Sequence, residues 1–313
     1  MIYTVYNVIT KTPLITIGNT GIGKSEISNF IKKNFKDIKV LNTISQASLK
    51  QISTEISNYN GIIFVDDIGA INTDYMRITT VSTLTYLAYQ HYLRRLDSTT
   101  NVEINNFNGA VIMNMQPAIY NQIIHEPSFE ANIKDKTYRY FILNLPNRNI
   151  ELKHPKIKEL QHIYDKFNDI KVNIDENKVN ALADNMLYNM SGIRRKQLIT
   201  KYVKLTAILN NHDTAMSEDY QFVAKLLLNN IIENELTERI GVKSAFTFNV
   251  FGYNLLLMAK KYGNMFKVID MVKDTGISKR TIYRKAKEQN IQIDNGYIIY
   301  NDNLLMRVVK HVI

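Results

Sequence analysis

Along the first 150 residues, short runs of β-branched and aliphatic residues alternate with longer stretches in which apolar positions recur every three or four. Leu14–Ile17, Ile38–Leu41, Ile62–Val65, Ala110–Met113 and Tyr140–Leu143 are nearly continuous apolar runs. Such runs suit strands covered on both faces, as in a parallel sheet flanked by helices. Helical periods fall on Lys24–Asn34, Leu49–Asn58 and Tyr75–Leu96. The alternation predicts an α/β fold with a parallel sheet.

After Pro146 the strand pattern stops. Residues 155–237 read as several helices, with Val179, Leu182, Met186 and Leu187 at helical spacing, and Val250–Lys261 continues the pattern. The last fifty residues read as a separate small domain, with Asn234–Ser244 as a hinge. Three segments follow: an α/β domain over 1–150, a helical one over 151–237 and a small one over 245–313.

Hydrophobic residues make up 45% and charged residues 22% of the 313, a balance normal for a soluble domain protein. No apolar run approaches the roughly 18 residues of a membrane span, and Met1–Lys11 lacks a secretory pattern. A cytoplasmic protein is expected, in the host cytoplasm if the source is viral. Abundant Ile, Asn, Lys and Tyr match an AT-rich genome such as that of a virus or plasmid. Cysteine is absent, which excludes disulfides and thiolate metal sites, and the six histidines stand singly. The charge of +10 is uneven: Ile240–Ile313 holds 12 Lys/Arg against 5 Asp/Glu. A basic final quarter points to a polyanionic partner.

The sharpest chemical signal is Gly18-Asn19-Thr20-Gly21-Ile22-Gly23-Lys24-Ser25, a full match to G-x-x-x-x-G-K-S/T between an apolar strand and a helix. Glycines let backbone N–H groups turn towards phosphates, and the helix N-terminus adds a favourable dipole. Lys24 would reach the β- and γ-phosphates, and Ser25 would ligate Mg²⁺. Gly61-Ile-Ile-Phe-Val-Asp66-Asp67 is the expected Walker-B partner. Asp66 would hold Mg²⁺ and Asp67 would orient the attacking water. ATP and Mg²⁺ are thus the expected cofactors of a P-loop NTPase.

Residues 10–237 resemble the AAA+ class. Val102–Asn114 is similar to the class's strand ending in a γ-phosphate sensor, which makes Asn114 the sensor-1 candidate. Asp135–Pro146 is similar to its arginine followed by a fifth strand, so the resemblance offers Arg139 as the arginine finger. Arg94 and Arg95, read as ending the preceding helix, are reserves, and Arg139 in an ordinary surface ion pair stays open. The helical segment resembles the AAA+ lid, with Gly192-Ile-Arg194-Arg195 like its sensor-2 motif and Arg194 at the fitting position; Ser217-Glu-Asp-Tyr resembles the closing lid helix. Asp-Asp at Walker B, where most members carry Asp-Glu, implies slow, switch-like hydrolysis. The resemblance also implies a homo-oligomer with sites between subunits.

In the last segment, Val268–Lys287 reads as helix–turn–helix, with Gly276 at the turn, Ile277 packed between the helices and Ser278 as cap. Ile282 and Ala286 would face a core, leaving Lys279, Arg280, Thr281, Tyr283, Arg284, Lys285 and Lys287 for duplex DNA. Ile291–Tyr300 carries Asn295-Gly296, a tight hairpin signal. Together these predict a winged-helix domain, with protein contacts as its other use. The order of core, lid and terminal winged helix resembles archaeal origin-recognition proteins. It implies a replication initiator or helicase loader working with a helicase or other replication proteins and with no membrane. A viral DNA packaging or unwinding motor and an ATP-regulated transcription factor are the alternatives.

Overall fold

The computed structural model describes residues 1–18, 23–41, 53–96, 101–142, 156–157, 159–186, 190–227, 254–255, 258–259, 261–288 and 291–299. The chain divides into two compact units, residues 1–142 with 152–234, and residues 143–151 with 235–313.

In the first unit, helix α1 (Ile2–Ile9) leads into β1 (Leu14–Ile17), α2 (Lys24–Asn34), β2 (Ile38–Leu41) and β3 (Ile62–Val65). Helix α3 (Asp74–Gln90), the hairpin β4 (Leu93–Leu96) and β5 (Asn101–Ile104), β6 (Ala110–Met115), α4 (Pro117–Ile123) and β7 (Tyr138–Phe141) follow. Five strands form one parallel sheet in the order β2-β3-β6-β1-β7. Every residue of β1, β3 and β6 is buried, which is why their sequences are continuous apolar runs rather than alternating ones.

The register puts Thr16 between Asn114 and Tyr140. On that face Tyr3 of α1 stacks on Tyr138 and Tyr140, with centroids 5.8 and 4.3 Å apart. The helices α5 (Leu160–Lys166), α6 (Glu176–Asn185) and α7 (Gly192–Leu209) belong to this same unit. Tyr202 of α7 packs edge-on to Tyr6 and tilted against Tyr138. The Tyr3 hydroxyl donates to the Leu226 carbonyl at 2.8 Å, tying a further helical stretch, 217–227, to α1.

Three boundaries differ from the sequence reading. The long helix stops at Gln90, not Leu96: His91 takes a left-handed conformation at φ 61° and closes it. Residues 93–96 then turn into a strand, with Arg94 opposite Glu103. Strand β6 runs two residues further than expected, so Asn114 lies within the strand, fully buried. Strand β7 begins two residues earlier, at Tyr138. Residues 49–52 of the expected second helix lie outside the described residues, as does Leu187; residues 53–56 are helical.

In the second unit, β8 (Met265–Lys267), α8 (Val268–Thr275), α9 (Lys279–Glu288), β9 (Gln292–Asp294) and β10 (Tyr297–Ile299) are described. Gly276, at φ 70°, caps α8 by donating to the Val272 carbonyl; this left-handed C-cap suits glycine. The Ser278 hydroxyl accepts from the Thr281 N–H at 3.2 Å and opens α9. Asn295 and Gly296 both have positive φ, 46° and 79°, as a two-residue hairpin turn requires. Strands β8, β10 and β9 form an antiparallel sheet in that order. Ile282, Ala286, Met271, Phe266 and Ile298 share a buried core.

Candidate functional site

In an open parallel sheet, ligands gather outside the carboxyl ends of the strands. At that edge β1 ends at Ile17, and the Gly18 N–H donates to the Met115 carbonyl at 3.2 Å, tying the start of the phosphate motif to β6. Asn19, Thr20, Gly21 and Ile22 lie outside the described residues. Gly23 precedes α2 at φ 91°, a conformation that favours glycine, and no side chain caps the first turn of α2. The positive end of the helix dipole there favours an anion. Lys24 Nζ donates to the Gly18 carbonyl at 2.5 Å, bridging the last and first described parts of the motif. Ser25 is exposed beside it.

Asp66 and Asp67 follow β3 at the same edge, and the Asp66 N–H donates to the Leu41 carbonyl of the neighbouring strand. Burial pulls the Lys24 ammonium below its usual range, while the charges of Asp67 and then Asp66 pull it back up. The cation and both carboxylates therefore share one field. Asp67 Oδ1 accepts from the Gly69 N–H at 2.8 Å, capping the short 3₁₀ turn Ile68–Ala70. Gln116 Nε2 approaches Asp67 Oδ2 at 3.4 Å. Sequence reasoning missed Gln116; the signal was a second polar residue, two beyond Asn114, at the end of an apolar strand.

Asn114 accepts from the Thr16 hydroxyl across β1 and β6. Its Nδ2 is buried with no partner among the described residues. A buried amide donor is costly to leave unpaired, so an acceptor such as a phosphate oxygen fits there. The residues present thus match a phosphate chain with its cation: a lysine, two carboxylates, a serine hydroxyl and an amide donor.

Two candidates lie elsewhere. Arg139 sits on β7 opposite Ile15, is only 7% exposed, and donates to the Tyr120 hydroxyl at 3.1 Å. That interior position corrects the expectation of a finger presented to a neighbouring subunit. Arg194 pairs with Asp135 at 2.9 Å and lies over the Tyr89 ring, 4.5 Å from its centroid. Asp135 precedes β7, and Tyr89 is in the last turn of α3, so Arg194 stands at the amino-terminal edge of the sheet. Arg77, in the first turn of α3, meets the Gly69 carbonyl beside Asp67. A rise of about 1.5 Å per residue puts roughly 18 Å of helix between Arg77 and Tyr89. Arg194 is therefore no part of this chain's own phosphate site, which corrects its sensor-2 reading. Arg195 donates to the Ala183 carbonyl at 2.9 Å. Arg94 is exposed on the β4–β5 hairpin.

In the second unit, Lys279, Arg280, Tyr283, Arg284 and Lys287 are exposed on α9, and Thr281 and Lys285 are half-buried. Asp274 of α8 is engaged by Lys261 at 2.6 Å. Within α9, Glu288 is the sole acidic residue.

No protein-family model matches the sequence, and no curated protein does. A solved structure from Cytophaga hutchinsonii, whose assignment as an ATPase is itself provisional, is similar at 17% identity. The likeness covers 71% of this chain and 78% of that one, with a TM-score of 0.47. Among the described residues, no helix is long and apolar enough to cross a membrane, and no cluster of metal-binding side chains occurs.

Proposed function

We propose that the chain is an ATP-hydrolysing P-loop protein of the AAA+ class that binds duplex DNA through a winged helix and acts as a replication initiator or helicase loader. The observation that carries the ATPase reading is the convergence of Lys24, Asp66 and Asp67 at the carboxyl ends of β1 and β3. Lys24 binds the phosphate chain, and the unpaired amide of Asn114 donates to a terminal phosphate oxygen. Asp67, held by Gly69 and Gln116, orients a water and receives its proton. Ser25 and Asp66 would hold Mg²⁺, which when bound neutralises charge on the phosphates.

Both Asp67 oxygens already accept hydrogen bonds. These contacts fix the orientation of the carboxylate that would position the water. Arg94 replaces the buried Arg139 as the residue offered to a neighbouring subunit. In the second unit, the exposed cations of α9 would meet the DNA phosphates and base edges, with the Asn295-Gly296 hairpin as the wing.

The test is ATP turnover by the purified full chain with and without duplex DNA. Slow turnover barely changed by DNA supports the initiator or loader. A many-fold rise supports a motor instead. No turnover in either condition, with no nucleotide bound, overturns the ATPase reading.

A further inference from the structure

A cavity of about 660 Å³ opens in the first unit at the sheet edge opposite the phosphate motif. Lys11 and Lys136, just ahead of β1 and β7, line it together with Arg194, Lys196 and Lys201 of α7. Among the described residues its one lining carboxylate, Asp135, is already committed to the Arg194 guanidinium and to the Ser191 N–H. Five cations thus face one anion that is fully engaged.

The other contacts of these cations do not balance the charge. Lys11 donates to Asn60 Oδ1 at 2.9 Å, and Lys136 and Lys201 donate to the carbonyls of Asn132 and Thr10 at 3.3 Å. All three acceptors are neutral. Arg194 Nη1 is buried with no partner among the described residues. Burial lowers the pKa of Lys11, Lys136 and Lys201. Lys201 further opposes the charge on Lys11, and Arg194 that on Lys136, against help from Asp165 and Asp135. Lys11 and Lys136 are half-buried, while Lys196 and Lys201 stay exposed at the mouth. Like charges gathered with fewer counter-charges than cations are unfavourable, and an anion placed among them relieves that cost.

The shape of the charge indicates which anion. Four cations beyond the Arg194–Asp135 pair exceed what one carboxylate or one phosphate neutralises. A volume of this size holds a short phosphate chain. The Tyr89 ring is covered by Arg194, so it does not serve as a stacking platform for a base. The geometry points to a second anion site, where a free oligophosphate binds independently of the phosphate motif, whether inorganic di- or tripolyphosphate or the tail of a nucleotide.

Lysine acylation of the full-length protein, read residue by residue by mass spectrometry with and without tripolyphosphate and without Mg²⁺, tests the site. Lys136 and Lys196 are expected to be protected in the unaltered chain and equally in Lys24→Ala. Protection confined to Lys24 or to the lysines of α9, or lost from the cavity in Lys24→Ala, would overturn it. Calorimetry on the Lys24→Ala chain gives the second reading. Adding Lys196→Glu or Lys136→Met should weaken tripolyphosphate binding about tenfold or more, and unchanged affinity in both refutes the assignment. Equal binding of pyrophosphate and ADP assigns the phosphate chain alone, and tighter ADP assigns a nucleotide tail. Equally tight AMP overturns the oligophosphate class.

Discussion

At the scale of single residues, the chemistry rests on few atoms. Asp67→Asn keeps the shape and the Gly69 contact of Asp67 but removes its basicity. Nucleotide affinity should hold while turnover falls on the order of 10²- to 10⁴-fold, and surviving turnover would show that another group positions the water. Gln116 acts on Asp67 from one side only. Gln116→Ala should lower kcat about tenfold with KM unchanged, as losing a supporting contact does; an equal change in KM would mean that Gln116 touches the nucleotide itself. The places of Lys24, Ser25 and Asp66 at the carboxyl edge of the sheet were legible in the sequence because the motif ties residue type to spacing. The places of Arg139 and Arg194 were not. Burial under Tyr120 and pairing with Asp135 are set by contacts distant in the chain, which a local motif does not encode.

At the scale of elements, apolar runs were sufficient for three strands: the interior β1 and β3 and the edge strand β2 match their expected bounds, as does α2. The failure at α3 has a physical cause. Leu93-Arg94-Arg95-Leu96 places its apolar residues three apart, imitating a helical turn, and the helix is closed by a left-handed His91 with no glycine to announce it. By contrast, α8 and α9 carry their stop and start signals openly in Gly276 and Ser278. Ser278→Ala removes the acceptor for the Thr281 N–H and should cost about 1 kcal/mol. Chemical denaturation of the full chain, followed by a probe placed in the second unit, reads this; an unmoved midpoint would mean that the cap contributes nothing there.

At the scale of the whole molecule, the helical segment and the sheet form one unit, and α9 belongs to another. Arg280→Ala combined with Arg284→Ala should leave ATP turnover without DNA unchanged. The same pair should flatten the salt dependence of duplex binding by about 2 in log–log slope. An unaltered slope would move the DNA surface off α9.

The joint between α1, the sheet and α7 is built from tyrosines: Tyr3, Tyr6, Tyr138, Tyr140 and Tyr202. The chain has 19 tyrosines and no tryptophan, so its intrinsic emission comes from phenols alone. Stacked and edge-on rings in fixed orientations give a chiral near-ultraviolet band. That band is a built-in optical gauge of whether the helical segment is seated on the sheet, readable without any label.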